Sequence, residues 1–265
     1  MEDLKMNAEE IKPPQQDKDV EERKSDDPLD DHYPLWLEFR KKAPGSHKHT
    51  QSLSNTVDNV AVAVGCDTKR LKMAARYHDI GKLWNPSAFT ENQGDEDNIH
   101  DELDPIVSFH ILTRHVSDTV TILVAHDFPI EVIQIASQHH GKTILKAIFE
   151  KAKEIDKSIQ DEGFRYKTDK PKNLESLILM LCDQVEATSR SVYLKQKKAV
   201  EPDVLIGSIF QALLKDGQFD DVEIKLGLVA KIQQILAEDI AGNFQKRLKY
   251  KENDDLPETE EKKES

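Results

Sequence analysis

Apolar residues recur along the chain at three- and four-residue spacing, the signature of helices packed through one face. Leu53, Val57, Val60, Ala61 and Val64 share such a face, and Gly65 follows where a left-handed terminating residue is expected. Asp67 stands where an N-cap belongs, ahead of a helix through Met73, Ala74 and Ala75 that is expected to stop at Gly81. A long helical stretch follows Asp101–Pro105 and runs to about Asp127. Pro129 opens the next helix, which ends at His139-His140-Gly141. Residues 143–158 read as helix, 161–172 as a loop and 173–193 as an apolar helix. Two further helices are expected over 201–215 and 221–249. Alternating strand pattern is almost absent, so the expected fold class is all-α, a helical bundle with two additional helices at its C-terminal end.

Charge separates the ends of the chain from its middle. Residues 1–31 hold 12 acidic and 5 basic side chains and residues 251–265 hold 7 and 3, which leaves about −2 of the net −13 for residues 32–250. Both ends have few apolar anchors and are expected to be disordered acidic tails, with one domain between them over 32–250. A nearly neutral body argues against long nucleic acid held on a basic surface. It leaves open a small phosphorylated ligand, because bound metal ions can supply local positive charge. No apolar run approaches the length of a membrane span, and Met1-Glu2-Asp3-Leu4-Lys5 has no leader pattern. Cys66 and Cys182 lie in apolar runs, which fits reduced thiols in a cytoplasmic setting.

The candidate chemistry lies in the histidines. The chain has ten, most of them near helix ends between residues 47 and 140. His78-Asp79 follows Met73, Ala74 and Ala75, small enough to permit close packing, so the pair is expected to face the core. A buried carboxylate needs a partner, and a metal ion is one, although a lone His-Asp pair on a helix is more often solvated. Asp183 ends the apolar run Leu177–Cys182, where helix burial extends nearly all round. The plain alternative there is a salt bridge. His139-His140-Gly141 can converge on one ion, since the glycine lets the chain turn away; the alternative is an exposed polar helix end. His47 lies about 200° round a helix from His49, so only one of the two can face such a site. His100-Asp101 is read as part of a helix start, His110 as a packing or surface residue and His126 as a helix-end cation.

The order H…HD…H…HH…D resembles the HD superfamily of metal-dependent phosphohydrolases. Within it, the chain most resembles the cytosolic domain of the seven-transmembrane HD-domain receptors, which are cyclic di-AMP phosphodiesterases. The shared stretches are A-P-G-S-H-K-H-T (43–50), R-Y-H-D-I-G-K (76–82), E-N-Q (91–93), H-D-E-L-D-P (100–105), H-V-S-D-T-V (115–120), Q-H-H-G (138–141), F-R-Y (164–166) and M-L-C-D-Q-V-E-A (180–187). The resemblance implies that His49, His78, Asp79 and Asp183 hold one divalent ion. It implies that Asp79, bridging, holds a second with His115, His139 and His140. Lys82 matches the lysine that faces the substrate phosphate or the nucleophile. Arg190, seven residues after Asp183 on the same helix face, could reach the other side of the phosphate. Two features depart from the family: no membrane span is expected among residues 1–31 before the domain, and His47-Lys48 stands where Tyr-His is more usual.

The implied chemistry is two-metal hydrolysis of a phosphodiester, with cyclic di-AMP opened to linear pApA. Five imidazoles and two carboxylates favour Mn or Fe over Mg. The centre would stay net positive despite the acidic chain. The expected partner is a small nucleotide; the chain itself should make no membrane contact, and a dimer is allowed. The location follows as cytoplasmic, or the cytosolic portion of a membrane protein. Alternatives are an HD phosphohydrolase acting on cyclic di-GMP, a dinucleoside polyphosphate or a nucleotide monophosphate, and a sensor that binds a nucleotide without turnover. The E-N-Q and F-R-Y segments favour the cyclic di-AMP group, and no G-Y-P follows the double histidine. A purely structural metal site fits least, because such sites are closed four-ligand zinc centres.

Overall fold

The computed structural model describes residues 25–94, 98–196 and 201–254. Nine α-helices are described: α1 (Pro34–Lys42), α2 (Pro44–Val64), α3 (Thr68–Tyr77), α4 (Pro105–Ala125), α5 (Ile130–Ser137), α6 (Lys146–Ile155), α7 (Leu174–Gln196), α8 (Pro202–Lys215) and α9 (Leu226–Asp254). Short 3₁₀ turns fill the connection between α3 and α4. An isolated antiparallel bridge pairs Ile144 with Arg165. Among the described residues no helix is long and apolar enough to cross a membrane.

Several helix boundaries follow from local chemistry. Gly65 adopts φ +78 and ends α2, and the Asp67 carboxylate accepts from Arg70 N at the start of α3. Asp104 accepts from Ile106 N, with Pro105 opening α4. The core then forms round α7, whose residues Leu177 to Leu181 are fully buried. Helix α2 packs against α3, α7 and α9, and α4 packs against α5 and α6. Each such leucine or isoleucine removed from water contributes about 1.5–3 kcal/mol, so α7 is the main support beneath the site.

The structure shifts four expected boundaries. Helix α3 stops at Tyr77, not Gly81, and residues Ile80–Trp84 tighten into a 3₁₀ turn. The reason is close approach: a Cβ on Gly81 would lie 2.0 Å from His115 O, so this turn is pressed against the α4 backbone. The helix expected over 143–158 is shorter, because Thr143 and Leu145 pair instead with Tyr166 and Phe164. The last helix starts at Leu226, five residues later than expected, and extends to Asp254.

Residues 25–31, expected within the N-terminal tail, instead form turns docked on α3. The Arg76 guanidinium donates to Leu29 O, Asp30 O and Asp31 Oδ1, and Tyr77 Oη donates to Pro28 O. Helix α1 had no place in the sequence reading, though Leu35, Trp36 and Phe39 give it a buried face. Residues 1–24 and 255–265 of the expected tails lie outside the described residues.

Candidate metal centre

Five segments deliver seven side chains to one point under the core. His49 comes from the second turn of α2, His78 and Asp79 from the break after α3, and His115 from mid-α4. His139 and His140 come from the turn after α5, and Asp183 from mid-α7. All are buried except His140, which is half-buried.

Asp79 occupies the middle. Its Oδ1 lies 3.4 Å from His115 Nε2 and 3.8 Å from His139 Nε2. Its Oδ2 lies 3.4 Å from His78 Nε2 and 3.9 Å from His49 Nε2. The two oxygens of one carboxylate therefore face two different groups of imidazoles. Asp183 adds a second carboxylate, with Oδ1 3.1 Å from His49 Nε2 and 3.7 Å from His78 Nε2, and Oδ2 4.0 Å from His140 Nδ1. Three sets of donor atoms lie close enough to share an ion: His115, His139 and His140; His49, His78 and Asp79; and His78, His139 and Asp183.

Local backbone sets the rings. The Nδ1 atoms of His78, His115 and His139 each donate to the carbonyl three residues earlier: Ala75 at 2.8 Å, Leu112 at 2.6 Å and Ala136 at 2.6 Å. That puts a proton on each Nδ1 and turns Nε2 inward, the atom through which such a ring would ligate a metal. The other two rings are held by side chains. His49 Nδ1 lies 2.8 Å from Glu186 Oε2. His140 stacks on Tyr166 with centroids 4.2 Å apart and planes 27° apart.

The electrostatics divide the ligands. Burial alone would lower His49, but Asp183 and Glu186 beside it raise it to about 8. Burial likewise opposes charge on His78, and Asp79 and Asp183 overcome it, raising it to about 10. His139 is pushed down to about 3 by burial and by charged His78, and His140 falls well below the ordinary value through burial and its neighbouring imidazoles. Burial opposes charge on Asp79, yet Lys82 and His78 hold it well below the usual carboxylate range. For Asp183 the hydrogen-bonding partners that outweigh burial are His49 and His78.

The residues fit divalent ions. His78 Nε2 and His140 Nδ1 are buried without a hydrogen-bond partner, an arrangement costing about 1–3 kcal/mol per group unless something binds them. Imidazole nitrogen and carboxylate oxygen together suit Mn, Fe or Zn rather than an all-oxygen Mg site.

A model of the HD domain matches residues 47–188. The chain belongs to the HD-domain family. This HD domain is similar to the cyclic-di-AMP phosphodiesterase PgpH of Bacillus subtilis (strain 168), at 34% identity over 220 residues, 83% of this chain and 31% of that protein. It is similar also to PgpH of Listeria monocytogenes serotype 1/2a (strain 10403S), at 32% over 228 residues, 84% of this chain and 31% of that protein. The crystal structure of the L. monocytogenes PgpH HD domain in complex with cyclic-di-AMP matches with a TM-score of 0.73 and 33% identity, covering 79% of this chain and 97% of that one. The all-α fold expected from the sequence is the fold of that neighbour. The chain spans about a third of the length of the curated relatives it matches.

Of the remaining candidates of the HD domain, Lys82 lies at the centre and Arg190 does not. Lys82 Nζ lies 2.8 Å from Asp79 Oδ2 and 2.7 Å from Glu91 Oε1. Arg190 stands further out, half-buried, with Nη2 3.8 Å from Glu186 Oε2 rather than at a ligand. His47 points away and packs its ring 4.2 Å from that of Trp36. His100 Nε2 donates to Ala88 O and takes no place in the cluster. Three residues had no role assigned from the sequence: Glu91, Tyr166 and Glu186. The E-N-Q and F-R-Y matches contained the first two, and the M-L-C-D-Q-V-E-A stretch contained the third.

Proposed function

We propose that this HD domain is a metal-dependent phosphodiesterase that opens cyclic di-AMP to linear pApA. The observation that carries the reading is the central position of Asp79, with one oxygen toward each imidazole group, in a cluster whose His115 and His140 line an open cavity. The cavity measures about 640 Å³ and is walled by Lys82, Glu91, His115, His140, Leu145 and Tyr166. That size suits a nucleotide ligand. The cyclic-di-AMP phosphodiesterase activity of the PgpH relatives and the cyclic-di-AMP complex of the structural neighbour support the same substrate.

His49, His78, Asp79 and Asp183 would hold one divalent ion, and Asp79, His115, His139 and His140 the other. When bound, such ions supply Lewis-acid polarisation of a phosphoryl oxygen and a water acidic enough to attack near neutral pH. The chain's own residues do the rest. Asp79 spans both halves of the centre and sets their separation. The Nδ1–carbonyl bonds hold His78, His115 and His139 in one tautomer and orientation. Lys82 brings a cation to the edge of the cavity, where it can donate to a non-bridging phosphate oxygen. Tyr166 and Leu145 add apolar surface to the cavity wall, which suits the flat face of a nucleobase.

The test is turnover. Purified protein loaded with Mn²⁺ or Fe²⁺ is incubated separately with cyclic di-AMP and cyclic di-GMP, and the products are separated by chromatography. Selective loss of cyclic di-AMP with appearance of pApA is the expected result. Loss of neither, with two ions bound per chain, refutes the cyclic-dinucleotide reading and points to another phosphorylated substrate or to binding without turnover.

A further inference from the structure

We propose that Glu91 is a positioning residue that aims the Lys82 ammonium at the phosphodiester, a role resting on the phosphodiesterase reading above. Lys82 has two close anionic partners, Asp79 at 2.8 Å and Glu91 at 2.7 Å. Both oxygens of Asp79 face imidazole groups, so ions in the centre would claim that carboxylate. Glu91 is then the partner left to hold Nζ. Lys82 and Glu91 both line the cavity, and the Phe89 ring lies 4.8 Å from Nζ, closing another direction to it.

Glu91 is itself held with unusual thoroughness for a residue of a short 3₁₀ turn. Ser46 Oγ donates to Glu91 Oε1 at 2.9 Å. The next residue, Asn92, accepts from Gly45 N at 2.9 Å and Ser46 N at 3.1 Å, and donates to Ser46 Oγ at 2.9 Å. Asn92 thereby caps α2 from a distant part of the chain. A Cβ on Gly45 would lie 1.8 Å from Glu91 O, so the turn sits directly on the helix start. Ser46 is one turn before His49 on α2. One helical turn thus fixes both a member of the metal centre and the carboxylate that holds Lys82.

The charges of Glu91 and Lys82 cancel, so the pair adds no long-range attraction for an anion. It adds a donor in a defined direction. This gives a signature that a structural role would not. Glu91→Ala should lower kcat about 10- to 100-fold while KM stays level or falls, because the cavity becomes more positive. Metal content should be unchanged. Glu91→Gln should recover most of the rate, since its amide oxygen can still accept from Nζ. On a Lys82→Met background, Glu91→Ala should have no further effect.

The assays use the metal-loaded full chain with cyclic di-AMP and, in parallel, bis(4-nitrophenyl) phosphate, which reports diester cleavage whatever the natural substrate. Wild-type protein active only on the aryl diester would overturn the cyclic di-AMP reading and leave the Glu91 comparison intact. Calorimetry with inorganic phosphate gives a readout without turnover: Lys82→Met should weaken phosphate binding several-fold, whereas Glu91→Ala should leave it level or tighter, since the ammonium keeps its charge and loses only its direction. Ser46→Ala removes only the hydroxyl that holds Glu91, and should show a smaller loss that also vanishes on the Lys82→Met background. It serves in place of Glu91→Ala if that variant does not fold. A kcat unchanged in Glu91→Ala, an equal loss on the Lys82→Met background, or no recovery in Glu91→Gln overturns the proposal.

Discussion

Replacing Gly81 with alanine tests whether the contact between the 3₁₀ turn and α4 sets the metal centre. The added Cβ would meet His115 O at 2.0 Å and Thr119 N at 2.5 Å, where ordinary contact begins at 3.4 Å. Backbone on both sides cannot swing aside as a side chain could. Relief requires α4 to withdraw by about 1.4 Å from the turn. The Gly81 N–H donates to Thr119 Oγ1 at 2.9 Å, and Thr119 Oγ1 donates to His78 O, so the movement also breaks the link between the two strands of the site. Overpacking of this kind costs about 1–3 kcal/mol, which corresponds to a drop in Tm of roughly 2–12 °C for a domain this size. The effect on metal should be larger. Metal–ligand distances tolerate only about ±0.2 Å, and His115 moves with α4 while Asp79 stays with the turn. Thermal melting, metal content and turnover should all be measured on Gly81→Ala. A variant that melts with the wild type and keeps its metal would show that the close approach does not shape the centre.

Other expected outcomes are simpler to read. Asp79→Ala should empty both halves of the centre and abolish turnover, seen by elemental analysis and product chromatography; normal metal content would end the bridging reading. Glu186→Gln should weaken metal binding about 10- to 100-fold by removing the carboxylate beside His49 Nδ1, measured by competition with a chelating dye; unchanged affinity would make that contact incidental. Arg76→Ala removes three hydrogen bonds to residues 29–31 and the guanidinium stacked 3.9 Å from the Trp36 ring. It should lower stability by about 2–4 kcal/mol in urea melts while leaving metal content alone, and loss of metal would contradict the separation of this clasp from the site. Chelation with EDTA should abolish turnover, and added Mn²⁺ or Fe²⁺ should restore it; activity surviving complete chelation would refute metal dependence.

What could be read from the sequence was mostly what neighbouring residues decide among themselves. The face of Leu53, Val57 and Val60, the stop at Gly65 and the cap at Asp67 are settled within one or two turns, and the structure has them. Angular separation on a helix said that only one of His47 and His49 could face the site, the family resemblance pointed to His49, and the two rings do point to different places. The end of α3 did not follow, because it depends on α4 pressing on Gly81 from 34 residues away. Residues 25–31 were judged by composition, and their docking depends on Arg76 and Tyr77, which composition does not see. Glu91, Tyr166 and Glu186 were present in recognised stretches without a role. Their partners Lys82, His140 and His49 come from other segments, and only the packed chain brings them together.

The two ways of holding the imidazoles have a consequence for which ions fit. A ring tied to the carbonyl of its own turn moves only when that turn moves, so His78, His115 and His139 form a stiff middle. His49 and His140 lean on Glu186 and Tyr166, side chains that can rotate. With ions bound on both sides of Asp79, a change of ionic radius would be taken up at the two outer donors while the spacing across Asp79 held. Such a centre would select a pair of ions by their separation more strictly than by their size.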